Sequence, residues 1–150
     1  MTNQELILAY SGIERFQEME KKKFEETGKK VLSGRIQLAF AISKNKDGIR
    51  QAIRPYEETK NEIIEEYRDV RAEQTALEAE KAAAEEENRP VKSISISLRT
   101  GKTMEEYAAR LTELEKLETD FEPKKVPLSQ FEGLDLTSEE LGTFIFMIED

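Results

Sequence analysis

One apolar stripe keeps a helical phase through the middle third of the chain. Its members recur at alternating steps of three and four, the spacing that places side chains on one face of a helix or along a coiled-coil seam. They are Leu38, Ile42, Ile49, Ile53, Tyr56, Ile63, Tyr67, Val70 and Leu77. Because an interrupted helix seldom resumes in register, the stripe predicts one continuous helix of coiled-coil character over residues 35–88.

The composition favours elongated helical packing over a large compact core. The chain has 150 residues, of which 37% are hydrophobic and 37% charged, and it has no Trp. Cys and His are both absent, so the sequence excludes disulfides, zinc sites built on thiolate or imidazole, and the usual general base near neutral pH. We therefore expect no enzyme activity, no cofactor and no metal site.

The net charge of −9 is unevenly distributed along the chain. Residues 1–56 carry 11 Lys/Arg against 7 Asp/Glu, residues 57–90 carry 5 against 12, and residues 91–150 carry 7 against 13. We expect the basic first third to complement the acidic remainder within the fold or across an oligomer. A basic patch for phosphate or nucleic acid is the alternative, although the lysines are not interleaved with aromatic residues as in a dedicated DNA-binding protein.

The sequence shows no membrane or export signal. No apolar run approaches the roughly 18 residues of a membrane-spanning helix. The first residues, MTNQE, lack the pattern of a signal peptide, in which an apolar run follows positive charge. We therefore expect a cytoplasmic protein that does not bind membranes.

Two helical segments are predicted before the middle of the chain. Residues 3–30 form an amphipathic pattern, and Gly28 is a plausible helix stop. Residues 31–42 alternate as a buried strand would, but the apolar stripe begins among them, so we favour a helix.

Two local signals interrupt the helical pattern that follows. The polar run SKNKDG at residues 43–48 predicts a turn, and Pro55 predicts a kink. Residues 1–90 as a whole are expected to form a helical, coiled-coil-like region, which ends at the dipeptide Arg89-Pro90.

The remaining residues, 91–150, predict a small α+β region packed on the first, as part of one structural unit. KSISISLR at residues 92–99 alternates with the period of a half-buried strand. TDFEPKKV at residues 119–126 is a candidate second strand, antiparallel to the first. The predicted fold class is thus mainly α (α+β): an elongated helical hairpin with a long coiled-coil-like helix, a small two-stranded β element and short C-terminal helices.

Two short helices are predicted in the same region from their capping residues. Thr103 and Glu106 match a capping box, and so do Thr137 and Glu140, where the second helix is expected to span residues 138–148. The buried face of the first is expected to comprise Tyr107, Leu111, Leu114 and Leu117. In the second, the inward side chains are expected to be Leu141, Phe144, Ile145 and Ile148.

The turn between the first strand and the first short helix is the only candidate ligand site. It contains Gly101-Lys102-Thr103, the end of a phosphate-binding loop, but the first glycine of that motif would fall at Ile96, so a nucleotide hydrolase is not expected. Free amides at the helix start beside Arg99, Lys102 and Thr103 would still suit one phosphate or carboxylate. The alternative is a polar turn and helix cap.

Two groups of apolar residues are candidates for an interface. The stripe is longer than one short helix can cover, so it predicts a homo-oligomer. Its interface residues would be Ile53, Tyr56, Ile63, Tyr67, Val70 and Leu77. Phe146 and Met147 would point away from the inward face of the last helix, so they are candidates for contact with another subunit or a host protein.

Residues 32–69 and 126–150 together resemble a broad group of small bacteriophage and prophage proteins of unassigned function. The shared pattern is a long helix with a basic start and a Tyr-Glu-Glu centre, here Tyr56-Glu57-Glu58, and a closing Leu-Thr-x-x-x-Leu helix with an acidic tail, here Leu136 to Leu141. The Ala/Glu run at residues 75–88 departs from that pattern. The resemblance implies a phage gene product in the cytoplasm of a bacterial host, and it implies no active-site residues.

The expected function is that of a non-catalytic bacteriophage accessory protein that binds and modulates a host protein, such as a defence or regulatory factor. Two alternatives stay open. One is a virion or assembly component, and the other is an oligomeric sponge that sequesters a small phosphorylated ligand such as a nucleotide signal.

Overall fold

The computed structural model describes residues 1–150, of which 67% lie in helices, with no strand and no sheet. The five α-helices are, in chain order, α1 (Asn3–Thr27), α2 (Ile36–Tyr67), α3 (Val70–Glu86), α4 (Met104–Lys116) and α5 (Ser138–Thr143). Two 3₁₀ turns cover Leu128–Phe131 and Ile145–Met147. The predicted α+β class, with its small two-stranded β element, is therefore wrong.

The two segments predicted as strands are extended chain that pairs elsewhere. In the first, Leu98 forms a single antiparallel bridge with Arg68. At the end of the second, Val126 forms a single parallel bridge with Ile148. The alternating pattern predicts which side chains can be buried, but a strand also needs a partner backbone along its length. Neither segment has one, because the first is paired only around Leu98, and the second only at its two ends, where Thr119 N donates to Met1 O at 3.0 Å and Val126 pairs with the last turn.

Helix α1 begins and ends where local chemistry requires. Thr2 caps it, since the Thr2 hydroxyl accepts from Glu5 N at 3.2 Å while Thr2 N donates to the Glu5 carboxylate at 2.8 Å. At its other end Gly28 adopts a left-handed conformation with φ 68°, and its N–H donates to the Phe24 carbonyl at 2.8 Å. The predicted stop at Gly28 is confirmed.

Helix α2 runs through both Pro55 and the segment predicted as a turn, so the turn at residues 43–48 is wrong. Two of its turn-forming residues serve tertiary contacts instead. Asn45 is 1% exposed and exchanges two hydrogen bonds with the backbone of Lys124, accepting from N at 2.6 Å and donating to O at 2.9 Å. Gly48 leaves room for the ring of Phe121, because a Cβ atom added at position 48 would lie 2.8 Å from Cε2 of Phe121.

The predicted continuous helix over residues 35–88 is wrong, because the helix breaks at Arg68 and Asp69. Asp69 N donates to Ser97 O at 2.7 Å, and Tyr67 O accepts from Arg99 N at 2.9 Å. These two backbone groups of Tyr67 and Asp69 therefore pair with residues 97–99 instead of within a helix. The Asp69 carboxylate then caps α3 by accepting from Ala72 N at 3.0 Å. Beyond the break the stripe does not continue as one buried seam, since Val70 is 48% exposed.

Helix α4 starts at the expected cap but buries a shorter face than predicted. The Thr103 hydroxyl accepts from Glu106 N at 3.2 Å. Tyr107 and Leu114 are buried and Leu111 is half-buried. Leu117, which was expected on the buried face, lies just past the end of the helix and is 54% exposed.

The last helix begins as predicted and ends early. The capping box of Thr137 and Glu140 is present in full, but α5 stops at Thr143 and a 3₁₀ turn follows. Side chains three apart eclipse in a 3₁₀ turn, so Phe144 and Met147 share a face, and both are fully buried. The same tightening turns Ile145 outward to 68% exposure, so the predictions that Ile145 faces inward and that Met147 points elsewhere are wrong.

The chain divides into two compact units, Met1–Tyr56 with Glu115–Asp150, and Glu57–Leu114. This division differs from the expected regions 1–90 and 91–150, and Arg89-Pro90 lies inside the second unit. The first unit holds one apolar core: Leu6, Ala9, Ile13, Phe16, Leu38, Ala41, Ile42, Ile49, Ile53, Val126, Phe131, Phe144 and Met147. In the second unit the buried apolar residues are Tyr67, Ala84, Tyr107 and Leu114.

Candidate functional site

An apolar depression lies beside the last helix of the first unit. Its volume is about 440 Å³. The lining residues are Leu128, Ser138, Leu141, Gly142, Ile145, Ile148, Glu149 and Asp150. Ile145 is 68% exposed and Leu128 is 54% exposed, so two large apolar side chains are presented to solvent at one place. Apolar surface that is grouped in this way is typical of a site that contacts another molecule.

Backbone pairing of Val126 holds the lining residues together. Val126 N donates to Met147 O at 2.8 Å, and Glu149 N donates to Val126 O at 2.9 Å. This places the 3₁₀ turn that carries Leu128 next to the chain that leaves the Ile145–Met147 turn. Phe144 anchors the same region, since its ring lies 4.9 Å from that of Phe16, edge to face, and 5.6 Å from that of Phe131.

The surroundings of the depression are acidic. Residues 126–150 contain six Asp/Glu and no Lys or Arg. Asp150 lies 3.8 Å from Lys125, with both side chains largely in solvent, while Glu149 has no ion-pair partner. Exposed pairs of this kind contribute little to stability. The rim of the depression therefore presents negative charge toward any molecule that approaches it.

A second exposed apolar surface lies at the start of α2, and we call it the ridge. It consists of Ile36, which is 82% exposed, and Phe40, which is 60% exposed. Residues four apart lie on one face of a helix, and Lys44 is the next residue of that face. Residues 29–54, which include the ridge, contain seven Lys/Arg and one Asp, so this segment is basic, although Lys46 and Arg50 contact α1.

A contact of Arg35 connects the start of α2 with one wall of the depression. Arg35 donates to the carbonyl oxygen of Ser129 at 3.4 Å and to that of Glu132. Ser129 follows Leu128 in the 3₁₀ turn, and Ile36 follows Arg35 in the chain. Arg35 thus ties the start of α2, where the ridge begins, to the 3₁₀ turn that carries Leu128.

A polar depression of about 310 Å³ lies where α1 meets α5. It is lined by Gly12, Arg15, Phe16, Thr137, Glu139, Glu140 and Thr143. Its charged groups already have partners within the chain, since Arg15 lies 3.8 Å from Glu139 and Glu140 caps α5. We therefore assign it a structural role, in which it marks the close approach of the two helices.

The residues predicted to bind an anion lie at the C-terminal end of α2. Arg99 Nε donates to the Glu65 carbonyl at 2.8 Å. Lys102 Nζ lies 3.4 Å from the Glu66 carboxylate and 4.9 Å from the centre of the Tyr67 ring. Cations are stabilising at this end of a helix, where carbonyl groups lack helical partners. Both cations are therefore already engaged within the chain, and Thr103 is engaged as the cap of α4, which favours the alternative of a polar turn and helix cap.

An aromatic and ionic cluster stabilises the break between α2 and α3. The rings of Tyr67 and Tyr107 lie 5.9 Å apart. Arg68 binds Glu73 through two hydrogen bonds, of 3.0 Å and 2.5 Å, and donates to the Tyr107 hydroxyl at 3.5 Å. The hydrogen bond with Glu73 and then that with Tyr107 raise the pKa of the Arg68 guanidinium. These contacts give the cluster a structural role at the helix junction.

The residues predicted to form an interface have different environments. Four are buried within the single chain: Ile53, Tyr56, Tyr67 and Met147. Three are half-buried, namely Ile63, Leu77 and Phe146, and Val70 is exposed. The buried ones already have neighbours in the chain, so their place in an interface between subunits stays a prediction.

Sequence reasoning missed Ile145 and Leu128 as surface residues. One signal for Ile145 is present in the sequence, since residues 144–148 are five consecutive apolar residues and one face of a helix cannot bury them all. No comparable signal marks Leu128, which depends on the pairing of Val126 with Ile148.

Comparisons with protein-family models, with curated proteins and with solved structures found no match to this chain. The structure contains no group of three or more acidic side chains arranged to hold a metal ion. None of its helices combines the length and the apolar character that crossing a bilayer requires.

Proposed function

We propose that this chain is a non-catalytic bacteriophage accessory protein that binds and modulates a host protein through the apolar depression. The observation that carries the proposal is the exposure of Ile145 and Leu128, at 68% and 54%, around one depression. The phage origin rests on the resemblance of residues 32–69 and 126–150. A defence or regulatory factor of the host is the proposed class of target.

Energetics support a role of the depression in binding. Full burial of one Ile or Leu side chain contributes about 1.5–3 kcal/mol. Leu141 and Ile148 are half-buried in the wall and have further area to lose to a partner. A few apolar anchors at the centre of an interface commonly supply most of its binding energy, while a polar rim excludes water. The depression, with Ile145 at its edge and Glu149 on its rim, has this arrangement.

The two alternative functions use different parts of the chain. A virion or assembly component would place the depression against another phage protein, so the identity of the partner separates that function from the one proposed. A nucleotide sponge would use Arg99 and Lys102, whose side chains already bind the end of α2. We therefore favour protein binding over ligand sequestration.

Site-specific photocrosslinking in infected host cells tests the proposal. A benzophenone amino acid replaces Ile145 in the full chain, and a matched chain carries it at Leu8, which is 64% exposed on α1 and does not line the depression. We expect a host protein to crosslink from position 145 and not from position 8.

The crosslinked protein is then purified and titrated with the wild-type chain and with Ile145→Asp. Binding by the wild type and at least tenfold weaker binding by the variant are the expected results. Crosslinks to phage structural proteins alone would favour the assembly function. Equal crosslinking from both positions would show that the depression is not the binding site.

A further inference from the structure

We propose that in the free protein the depression is occupied by a second copy of this chain, whose ridge of Ile36 and Phe40 enters it. The proposal goes beyond host binding, since self-association requires no host protein. It names an interaction surface and its occupant from the exposure, spacing and charge of residues in the first unit.

The two surfaces are both apolar. Ile36 and Phe40 are one helical turn apart, so they project together from α2 as an apolar row. Rows of this kind are the part of an amphipathic helix that docks into an apolar groove. The depression offers four apolar residues as its lining, Leu128, Leu141, Ile145 and Ile148.

The ridge of a copy does not cover its own depression. Ile36 remains 82% exposed and Ile145 remains 68% exposed within the single chain. Both surfaces are therefore available for contact between copies.

The chain segments that carry the two surfaces have opposite charge. The segment with the ridge, residues 29–54, contains seven Lys/Arg and one Asp, whereas the segment with the depression, residues 126–150, contains six Asp/Glu and no cation. Lys44 continues the face of the ridge and Glu149 lies on the rim of the depression. Opposite charges around an apolar contact favour its formation and fix its orientation, and salt weakens their effect.

The positions of the two surfaces suit a reciprocal contact. Arg35 holds the start of α2 against the carbonyl groups of Ser129 and Glu132, so the helix that carries the ridge is tied to the 3₁₀ turn that carries Leu128. In a dimer with two-fold symmetry the same patch on each copy must contact itself. The proposed dimer meets that condition when each ridge enters the depression of the other copy, so that the same two contacts form twice.

Light scattering coupled to size exclusion measures the proposed dimer. For the wild type we expect a mass that rises with concentration toward twice the 17.3 kDa of one chain and that falls when salt is added. Phe40→Asp and Ile145→Asp are each expected to be monomeric. Leu8→Asp, at an exposed apolar position outside both surfaces, is the matched control and is expected to keep the wild-type mass.

A mixing experiment identifies the occupant. The Phe40→Asp chain has an intact depression and the Ile145→Asp chain an intact ridge. An equimolar mixture can restore one of the two contacts, so we expect a heterodimer that is weaker than the wild-type dimer. Circular dichroism and thermal unfolding of each variant report its folding, and Phe40→Ser and Ile145→Ser replace any variant that does not fold.

Three results would overturn the proposal: a wild type that is monomeric at every concentration, a Phe40→Asp variant that still dimerises, or a mixture that stays monomeric. These results leave host binding untouched, since a monomer can still crosslink to a host protein from position 145. A dimer without host crosslinks would support self-association and contradict the proposed function.

Discussion

Gly12 and Thr143 approach so closely that position 12 has no room for a side chain. A Cβ atom added at Gly12 would lie 2.5 Å from Thr143 Cγ2 and 3.0 Å from Thr143 Oγ1. Gly12 belongs to α1 and Thr143 ends α5, so the missing methyl group determines how near the two helices lie. The position of α5 in turn determines where Leu141 and Ile145 stand in the wall of the depression.

Gly12→Ala is expected to destabilise the protein by about 1–3 kcal/mol, the usual cost of overpacking. The sign is informative, because Gly to Ala inside a helix ordinarily stabilises by about 1 kcal/mol. The free energy of unfolding is measured in urea. Gly142→Ala in α5 is the control, since a Cβ there would meet nothing within 4 Å, and it is expected to be neutral or stabilising. Stabilisation by both substitutions would contradict the close approach.

Asn45→Asp is expected to lower the free energy of unfolding by about 1–3 kcal/mol at neutral pH. The carboxylate can still accept from Lys124 N, but it cannot donate to Lys124 O, and its charge is buried. Burial raises the pKa of such a carboxyl group, so part of the lost stability should return as the pH falls. Urea unfolding at several pH values measures this, with Asn61→Asp, at an exposed position of α2, as the control. Equal effects at both positions would show that the hydrogen bond from Asn45 to Lys124 O and the burial of the side chain contribute nothing.

Glu80 is expected to titrate with a pKa of about 2. The Arg89 guanidinium, through hydrogen bonds that include one of 3.3 Å, is the main cause that lowers the pKa of this carboxyl group, and Lys92 N adds another hydrogen bond at 3.0 Å. A lowered pKa in the folded state means that the contribution to stability is complete above pH 4.5 and is lost as the pH falls toward about 2. NMR titration of the Glu80 carboxyl carbon measures the pKa directly.

The lowered pKa of Glu80 also predicts how the stability of Glu80→Gln depends on pH. We expect this variant to be less stable than the wild type at neutral pH, and the difference to shrink as the pH falls through that window. Glu78→Gln, at an exposed position of α3, is the control and should show a smaller difference. A difference that does not depend on pH would contradict the assignment of the hydrogen bonds to Glu80.

Arg99→Ala combined with Lys102→Ala is expected to lower stability without changing ligand binding. Arg99 satisfies the Glu65 carbonyl and Lys102 approaches the Glu66 carboxylate, so their loss weakens the C-terminal end of α2 by about 0.5–1.5 kcal/mol. Calorimetry with inorganic phosphate and cyclic nucleotides should detect no binding to the wild type or to the variant. Binding to the wild type that the variant loses would instead support the anion site and the sponge function.

The sequence predicted the candidate site only in part. It indicated the last helix as a place of contact, but it selected Phe146 and Met147, whereas the structure exposes Ile145 and Leu128. The inward positions through residue 148 were predicted with an α-helical period. The structure has a 3₁₀ turn after Thr143, and its shorter period places different side chains inward. Such a change depends on the packing of Phe144 against Phe16 and Phe131, which lie far from it in the chain.

Features that depend on hydrogen bonds between near neighbours follow from the local sequence alone. Gly28 ends α1, Asp69 caps α3, and Thr137 with Glu140 starts α5, because each uses backbone groups within four residues. Of these, Asp69 was missed, because the apolar stripe continued across it. That Asn45 lies inside a helix depends on its pairing with Lys124, 79 residues away. That α2 stops at Tyr67 depends on residues 97–99, which supply the hydrogen bonds that another helical turn would have made. A local sequence pattern allows more than one backbone structure at a position, and the contact with a distant residue determines which of them forms.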